Sequence, residues 1–240
     1  MIGVNILRQA SAKVAQEMAI KTGQSKQKAQ PAVLTLFQPL TTSDSEYTFN
    51  FDQNVQQGIS PLARGLEFRN GFQAIAMSLG IMSVKTVSGV LYWGAKPVIY
   101  WPDPNLFSTA AGSNVLTEAE ALEGIYNGDF SLQTNEGLRL DRHDTSLFRT
   151  VQQTQQSTQV TGFTGTTNTF TTQNMQIGDE FKSLGGVFNI VGGDDNYIKV
   201  RINTKNKGNI VGDGSTRTNY LVVKLLGTEV KGNTTAQLQK

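Results

Sequence analysis

The sequence contains no cysteine. That removes disulfides, thiolate nucleophiles, zinc ribbons and iron–sulfur ligation together, and it fits synthesis in a reducing compartment. There is one histidine, His143, too few for the His-rich zinc patterns. No GxxxxGK[ST] loop occurs, and no GxGxxG follows a strand and opens a helix. The GDGST stretch at 212–216 has no lysine in place and no helix after it. No window approaches the roughly 18 apolar residues of a membrane span. The opening MIGVNILRQASAKVAQ lacks a cationic region followed by an apolar core, so no secretory signal is expected. These absences point to a soluble protein made in the cytoplasm.

Charge is scarce as well. Charged residues are 17% of the chain and the net charge is +2, which gives no global attraction to nucleic acid. Hydrophobic residues, at 38%, are also below the globular average. Thr, Gln, Asn, Ser and 24 Gly fill the difference. Interspersed charge is the usual solubility device of a free monomer, so a chain this poor in it is expected to commit surface to protein–protein contact. At 240 residues it is long enough to bury a proper core within one sandwich.

Three regions differ in composition. Residues 1–30 carry Arg8, Lys13, Lys21, Lys26 and Lys28 against one acid, Glu17, and Ile6, Ala10, Val14 and Met18 recur at helical spacing. They read as a basic amphipathic arm, helical from about Val4 to Thr22, with a flexible link to Pro31. Such an arm either packs on the body as a surface helix or docks on a neighbouring subunit, an internal membrane or a genome. Residues 31–230 read as a β-rich body and 231–240 as a polar, frayed tail.

Within the body, Ala32–Phe37 reads as a strand. Tyr47, Phe49 and Phe51 alternate with polar residues, the period of a half-buried strand. Gln73–Met82 is apolar enough for helix or strand, with Gly80 arguing against a long helix. Val84–Tyr92 and Lys96–Trp101 read as strands joined by a turn near Gly94. A helix is expected within Asn105–Gly124, capped by Ser113 or Thr117 and stopped by Gly124 or Gly128. Asp129–Gln133 and Gly137–Asp141 read as a hairpin, and Leu147–Val151 as a further strand. Thr150–Gln176 is a Thr/Gln/Ser tract that cannot build a core of its own; it is expected to be a surface loop, or strands completed by another subunit. Val187–Val191 and Tyr197–Asn203 flank Gly192–Asn196, a hairpin turn, and Tyr220–Leu226 follows a Gly-rich loop. Many short strands, turn residues and one or two brief helices imply a mainly β chain, a jelly-roll-like β-sandwich.

Candidate chemistry is thin. His143 lies between Arg142 and Asp144 and reads as a loop histidine bonded to backbone or to Asp144; a triad needs an activated nucleophile and a third group placed by the fold. Asp194, Asp195 and Asp213 sit in tight turns without the ligand pattern of a calcium loop. Glu118, Glu120 and Glu123 read as a solvated helix face. Lys199, Arg201, Lys205 and Lys207 read as an edge strand protected by charge. No catalytic residue, metal or cofactor is expected. Tyr92, Trp93, Tyr100 and Trp101 form the most distinctive cluster, and three readings stay open: an inter-sheet core wall, a sugar-binding platform, or the hot spot of a subunit contact.

The segment Leu116–Arg149 resembles part of the structural proteins of tailless bacterial viruses. The elements that carry the likeness are a short helix ending Leu122 to Asn127-Gly128, a strand at Phe130–Leu132, a second at Leu138–Leu140, and Leu147-Phe148-Arg149. The basic helical arm before a β-rich body is similar to the internal arms of such capsid-type proteins, whereas the Thr/Gln tract departs from the pattern. The resemblance implies a jelly-roll coat or minor virion protein. It would be made in the host cytoplasm, reside in the virion, and contact copies of itself and other virion proteins, with no small-molecule substrate. Two other readings are a carbohydrate- or receptor-binding module of a spike or fibre, and a hydrolase built around His143 and a carboxylate. On the leading reading, deleting the arm leaves a folded body that assembles poorly; normal assembly of the truncated body, measured by size exclusion, would make the arm dispensable.

Overall fold

The computed structural model describes residues 29–68, 70–93, 98–100, 115–134, 137–149, 154–156, 160–161, 167–168, 171–173, 180–192, 196–204, 210–212 and 217–231. The arm residues Arg8, Lys13, Lys21, Lys26 and Lys28 lie outside them, as do Trp101, Asp194, Asp195, Lys205, Lys207 and Asp213.

The described chain is mainly β. Its elements in order are β1 (Ala29–Pro39), β2 (Glu46–Asn50), α1 (Gln53–Ile59), β3 (Gly71–Val87), β4 (Val90–Tyr92), α2 (Val115–Tyr126), β5 (Asp129–Thr134), β6 (Gly137–Asp144), β7 (Thr154–Gln156), β8 (Val160–Thr161), β9 (Thr167–Asn168), β10 (Thr171–Gln173), β11 (Lys182–Val191), β12 (Tyr197–Arg201) and β13 (Arg217–Val230). One antiparallel sheet has the order β1-β13-β3-β11, with β4 added to the end of β3; a second has the order β2-β12-β5-β6. The pairing is nested. The first strand pairs with the last (β1·β13), and β2·β12, β3·β11 and β5·β6 follow inward.

The two sheets share one core. Leu34 and Leu36 of β1, Met77, Leu79 and Ile81 of β3, and Leu221, Val223 and Leu225 of β13 meet Tyr47 and Phe49 of β2, Phe130 and Leu132 of β5, and Ile198 and Val200 of β12. The β2–β12–β5 sheet behaves as the alternation predicts, with apolar residues inward and Glu46, Thr48, Lys199 and Arg201 outward. In the β1–β13–β3–β11 sheet the central strands β13 and β3 are covered on both faces. The sheet's outer face carries Phe37, Met82, Val84, Tyr220 and Val222, overlaid by Ala63 and the partly buried Ile59, Trp93 and Val98. That double cover explains why Gln73–Met82 shows no period: a strand buried on both sides reads as a continuous apolar run.

Edge β1 is closed by specific bonds. Thr35 and Arg64 exchange backbone hydrogen bonds (2.8 and 2.9 Å). The Phe37 N–H donates to Gln56 Oε1 at 2.8 Å, while Gln56 Nε2 donates to the Asn50 carbonyl at 2.9 Å. Gln56 is fully buried on α1, a helix the sequence reading did not anticipate. Asp52 caps it, accepting from the Asn54 N–H at 2.7 Å.

The structure corrects several expectations. Ala29 and Gln30 belong to β1, in register with Val230 and Glu229, so a truncation that removes only the arm must stop at Lys28. The turn after Val84 is Ser88-Gly89, both at positive φ (51° and 79°), the type I′ geometry that matches strand twist. Residues 147–151 do not form a strand in their described part: Thr145–Phe148 is a 3₁₀ turn, capped by Asp144, which accepts from the Ser146 N–H. Gly192–Asn196 is not a hairpin. It carries the chain from β11 in one sheet to β12 in the other, where a side chain at Gly192 would collide with the Glu67 carbonyl and Asn196 Nδ2 donates to the Val191 carbonyl at 2.7 Å. The expected helix is α2, and it runs through Gly124 to Tyr126.

Glycine is obligatory where strands close on each other. At Gly227, beside a register shift between β13 and β3, a Cβ would collide with the Gln73 carbonyl and press on the Phe72 ring. Gly227→Ala is expected to destabilise the fold by about 2 kcal/mol or more, as overpacking does. Gly186→Ala meets only the Phe188 ring at 3.6 Å and should be near neutral. Equal melting temperatures for the two variants would contradict the packing described.

Candidate functional site

The aromatic cluster is dispersed by the fold. Tyr92 is exposed on β4. Trp93 turns back onto the outer face of the larger sheet, 4.8 Å from the Tyr220 ring and edge-on to Phe37 at 5.8 Å. Tyr100 is buried. The described members therefore form no continuous ladder on which a sugar could stack; Trp93 serves as cover for the sheet.

Beside Tyr100 the same outer face holds a polar pair. Lys224 stands in register with Ser78, and its ammonium lies 5.4 Å from the Tyr100 ring centre. Burial holds the Lys224 amine below its ordinary value, against the opposing pull of Glu180. Burial also pushes the Tyr100 phenol up, with Glu180 adding to the effect. Both shifts follow from desolvation. A cation over a ring accounts for this lysine without a chemical role.

His143 is on strand β6, opposite Phe130 in the ladder, with ring centres 5.7 Å apart. It is not in a loop. The neighbouring Asp144 is occupied as a cap, so the Arg-His-Asp sequence does not converge on a triad. Glu123 of the helix pairs with Arg149. Among the described residues no group of three or more His, Asp or Glu side chains could hold a metal ion.

The basic run also has a different setting from the one expected. β12 is a central strand, between β2 and β5. Its cations are paired: Lys199 Nζ lies 2.8 Å from Glu46, and Arg201 reaches Glu46 at 2.9 Å and Asp129 at 2.8 Å. Arg142 approaches the other Asp129 oxygen at 3.3 Å. Across β2, β12 and β5 the two cations of β12 are thus matched by two carboxylates, with Arg142 of β6 as a third cation beside them.

A second ionic centre closes the end of the sandwich. Glu229, 6% exposed, accepts from Asn70 Nδ2 at 2.9 Å, Arg64 at 3.0 Å and Gln30 Nε2 at 3.4 Å. Its carboxylate is fully engaged, which is the condition for burying a charge.

No family model, curated protein or solved structure matches this chain. Its function must therefore be read from its own surfaces.

Two surfaces remain unaccounted for. The first is the β3–β4 hairpin, where Val87, Val90, Leu91 and Tyr92 are 41%, 58%, 38% and 52% exposed. Four large apolar residues flanking one two-residue turn are the composition of a contact surface. The second is the Thr/Gln tract, whose described pieces pair with each other: β7 with β10, and β8 with β9. The described strands of the tract thus find partners within the tract itself. Spacing alone could not have revealed this, because a run of Thr and Gln has no apolar period. Among the described residues no helix is long and apolar enough to cross a membrane.

The Glu46 lattice makes a pH prediction. The hydrogen bond from Lys199, aided by the charges of Lys199 and Arg201 and opposed by partial burial, holds the Glu46 carboxyl below its ordinary 4.5. Its stabilisation is present above that value and fades as pH falls through the depressed folded value. Glu46→Gln should lower the melting temperature slightly at neutral pH, as exposed pairs do. The deficit should vanish in acid, and a deficit that grows in acid would contradict the pairing.

Proposed function

We propose that the chain is a structural subunit of a bacteriophage capsid or other virion shell, a jelly roll that self-assembles through its interfaces. The observation that carries the reading is the nested pairing of eight strands across the two main sheets. A hairpin of four strand pairs, β1·β13, β2·β12, β3·β11 and β5·β6, with successive pairs alternating between sheets, supports the jelly-roll reading. That architecture serves viral coat proteins, lectins and cupins, and fold alone does not choose among them.

The surfaces favour the shell. Phe49, Phe72, Leu79, Ile198 and Leu221 fill the space between the sheets, where a ligand-binding barrel would aim polar groups. Trp93 is engaged with Phe37 and Tyr220, which weakens the spike or fibre module with an aromatic sugar platform. Among the described residues, exposed apolar side chains include Val87, Val90, Leu91 and Tyr92 of the β3–β4 hairpin as well as Phe68, Leu62 and Leu147 elsewhere, and charge is scarce over the whole chain. Modest apolar contacts of this kind, repeated by symmetry, hold large assemblies. The partners are other copies of the chain and other virion proteins, with the basic arm available to a genome or an internal membrane.

Light scattering on size-exclusion fractions, with negative-stain imaging of the same fractions, tests this. Trimers, pentamers, hexamers or closed particles are expected. A monomer at all concentrations and salt conditions would overturn the proposal and direct attention to glycan binding.

A further inference from the structure

The sequence contains two Asn-Gly pairs, Asn70-Gly71 and Asn127-Gly128. A glycine after asparagine leaves the next backbone nitrogen unshielded by any side chain, so that nitrogen can reach the asparagine side-chain carbonyl carbon. The fold treats the two pairs in opposite ways.

Asn70 is 5% exposed, and its side-chain nitrogen donates to Glu229 Oε1 at 2.9 Å and to Glu67 Oε2 at 3.3 Å. Its backbone N–H donates to the Glu67 carbonyl at 3.0 Å, and its carbonyl accepts from the Gly192 N–H at 2.8 Å. Gly71 is already in the ladder, in register with Val191 and Val230. Both reacting groups of this pair are therefore fixed in place.

Asn127 stands in the turn between α2 and β5 and is exposed. No hydrogen bond ties its side chain to any described residue. What restrains this pair is Thr145, fully buried at the start of the 3₁₀ turn. Its Oγ1 accepts from the Gly128 N–H at 3.0 Å and donates to the Ile125 carbonyl at 3.0 Å. Its own N–H donates to the Gly128 carbonyl at 3.1 Å. A hydrogen bond from the neutral N–H disfavours the deprotonated nitrogen, which is the attacking form.

We propose that Asn127-Gly128 is a self-modification site, deamidating with water as the co-reactant, and that Thr145 sets its rate. The Gly128 nitrogen gives its proton to solvent base and bonds to Asn127 Cγ. The Cγ–Nδ2 bond breaks and ammonia leaves, closing a five-membered succinimide. Water then opens the ring and the Gly128 nitrogen regains a proton. Cleavage of that nitrogen's bond to Cγ yields aspartate; cleavage of its bond to the Asn127 main-chain carbonyl carbon yields isoaspartate. Neither product suits the turn. A carboxylate just past the C-terminus of α2 opposes the helix dipole. Isoaspartate also lengthens the main chain beside Gly128, which lies so close to β12 that a Cβ would collide with the Arg201 carbonyl. The modification thus loosens the seating of α2 and β5 as the protein ages, and it does not depend on the self-assembly reading.

The test incubates the folded full chain in warm, mildly alkaline buffer beside Thr145→Val and Thr145→Ser, with samples taken for peptide mapping by mass spectrometry. Trypsin cleaves at Lys85, between the two pairs, so each is followed separately. In the parent chain Asn127 should convert to aspartate and isoaspartate while Asn70 stays intact. Thr145→Val removes the hydroxyl and should speed conversion of Asn127 on the order of tenfold, the factor that one lost hydrogen bond supplies. Thr145→Ser keeps the hydroxyl and should keep the parent rate. Asn70 converting as fast as Asn127 in the folded parent, or Asn127 intact in all three chains, overturns the site. Asn70 also reports on unfolding: if Thr145→Val speeds both pairs equally, the restraint is the global fold and the role of Thr145 is overturned. A Thr145→Ser chain as fast as Thr145→Val overturns that role too, since the hydroxyl is then not what holds Gly128.

Discussion

β13 runs antiparallel to β1 along one edge, from Pro39↔Tyr220 to Ala29↔Val230, and to β3 along the other, from Lys85↔Arg217 to Gly71↔Val230. Its backbone is thus satisfied on both sides by strands from the opposite end of the described chain. Its side chains are buried on both faces, Leu221, Val223 and Leu225 toward the second sheet and Tyr220 and Val222 toward the outer cover. The rest of the fold depends on this placement. Once the last strand lies between the first and the third, the remaining pairs are drawn into the nested order, and the crossings between sheets follow at Gly192–Asn196 and between β12 and β13. Such contacts span nearly the whole described sequence, so their loop-closure cost is met late, by burial and ladder formation together.

The two sheets then divide the surface between them. The β2–β12–β5–β6 sheet faces water with a neutralised lattice of Glu46, Asp129, Lys199 and Arg201. The other sheet is roofed by Trp93, Ile59, Ala63 and Val98. Among the described residues, exposed apolar side chains gather at the turn of the β3–β4 hairpin and recur singly at Leu62, Phe68 and Leu147. Under the proposed function, such exposed positions are where a shell subunit would meet its neighbours.

Much of the sheet content was legible because one face of it is wet. The alternation Tyr47, Phe49, Phe51 located β2, and the turn between Gln133 and Gly137 located β5 and β6. Where both faces are buried the period disappears, and β3 remained ambiguous until Ile81, Gly80 and Met82 could be seen facing different layers. Strand partners were not legible. Gly and Asp bend the chain equally well into a hairpin or across to another sheet, so local chemistry at 192–196 does not decide between the two. The same holds for Lys199 and Arg201, whose spacing cannot distinguish an edge from a central strand that has acidic neighbours. The aromatic cluster was read as one unit because its members are close in sequence, yet a turn at Ser88-Gly89 sends Tyr92 outward and Trp93 back onto Phe37. His143 and Asp144, adjacent in the chain, were given to a ring stack and a helical cap.

The ladder of β13 with β1 and β3 is expected to be the last structure to open. Native-state hydrogen exchange measures this residue by residue. The amides of Leu221–Leu225, together with those of Leu79 and Ile81 that lie beside them, should exchange only through global unfolding, while those of β4 and β6 exchange by local opening. Exchange of the β13 amides as fast as those of β4 would contradict it, because the strand on which the nested order depends would then be an accessory one.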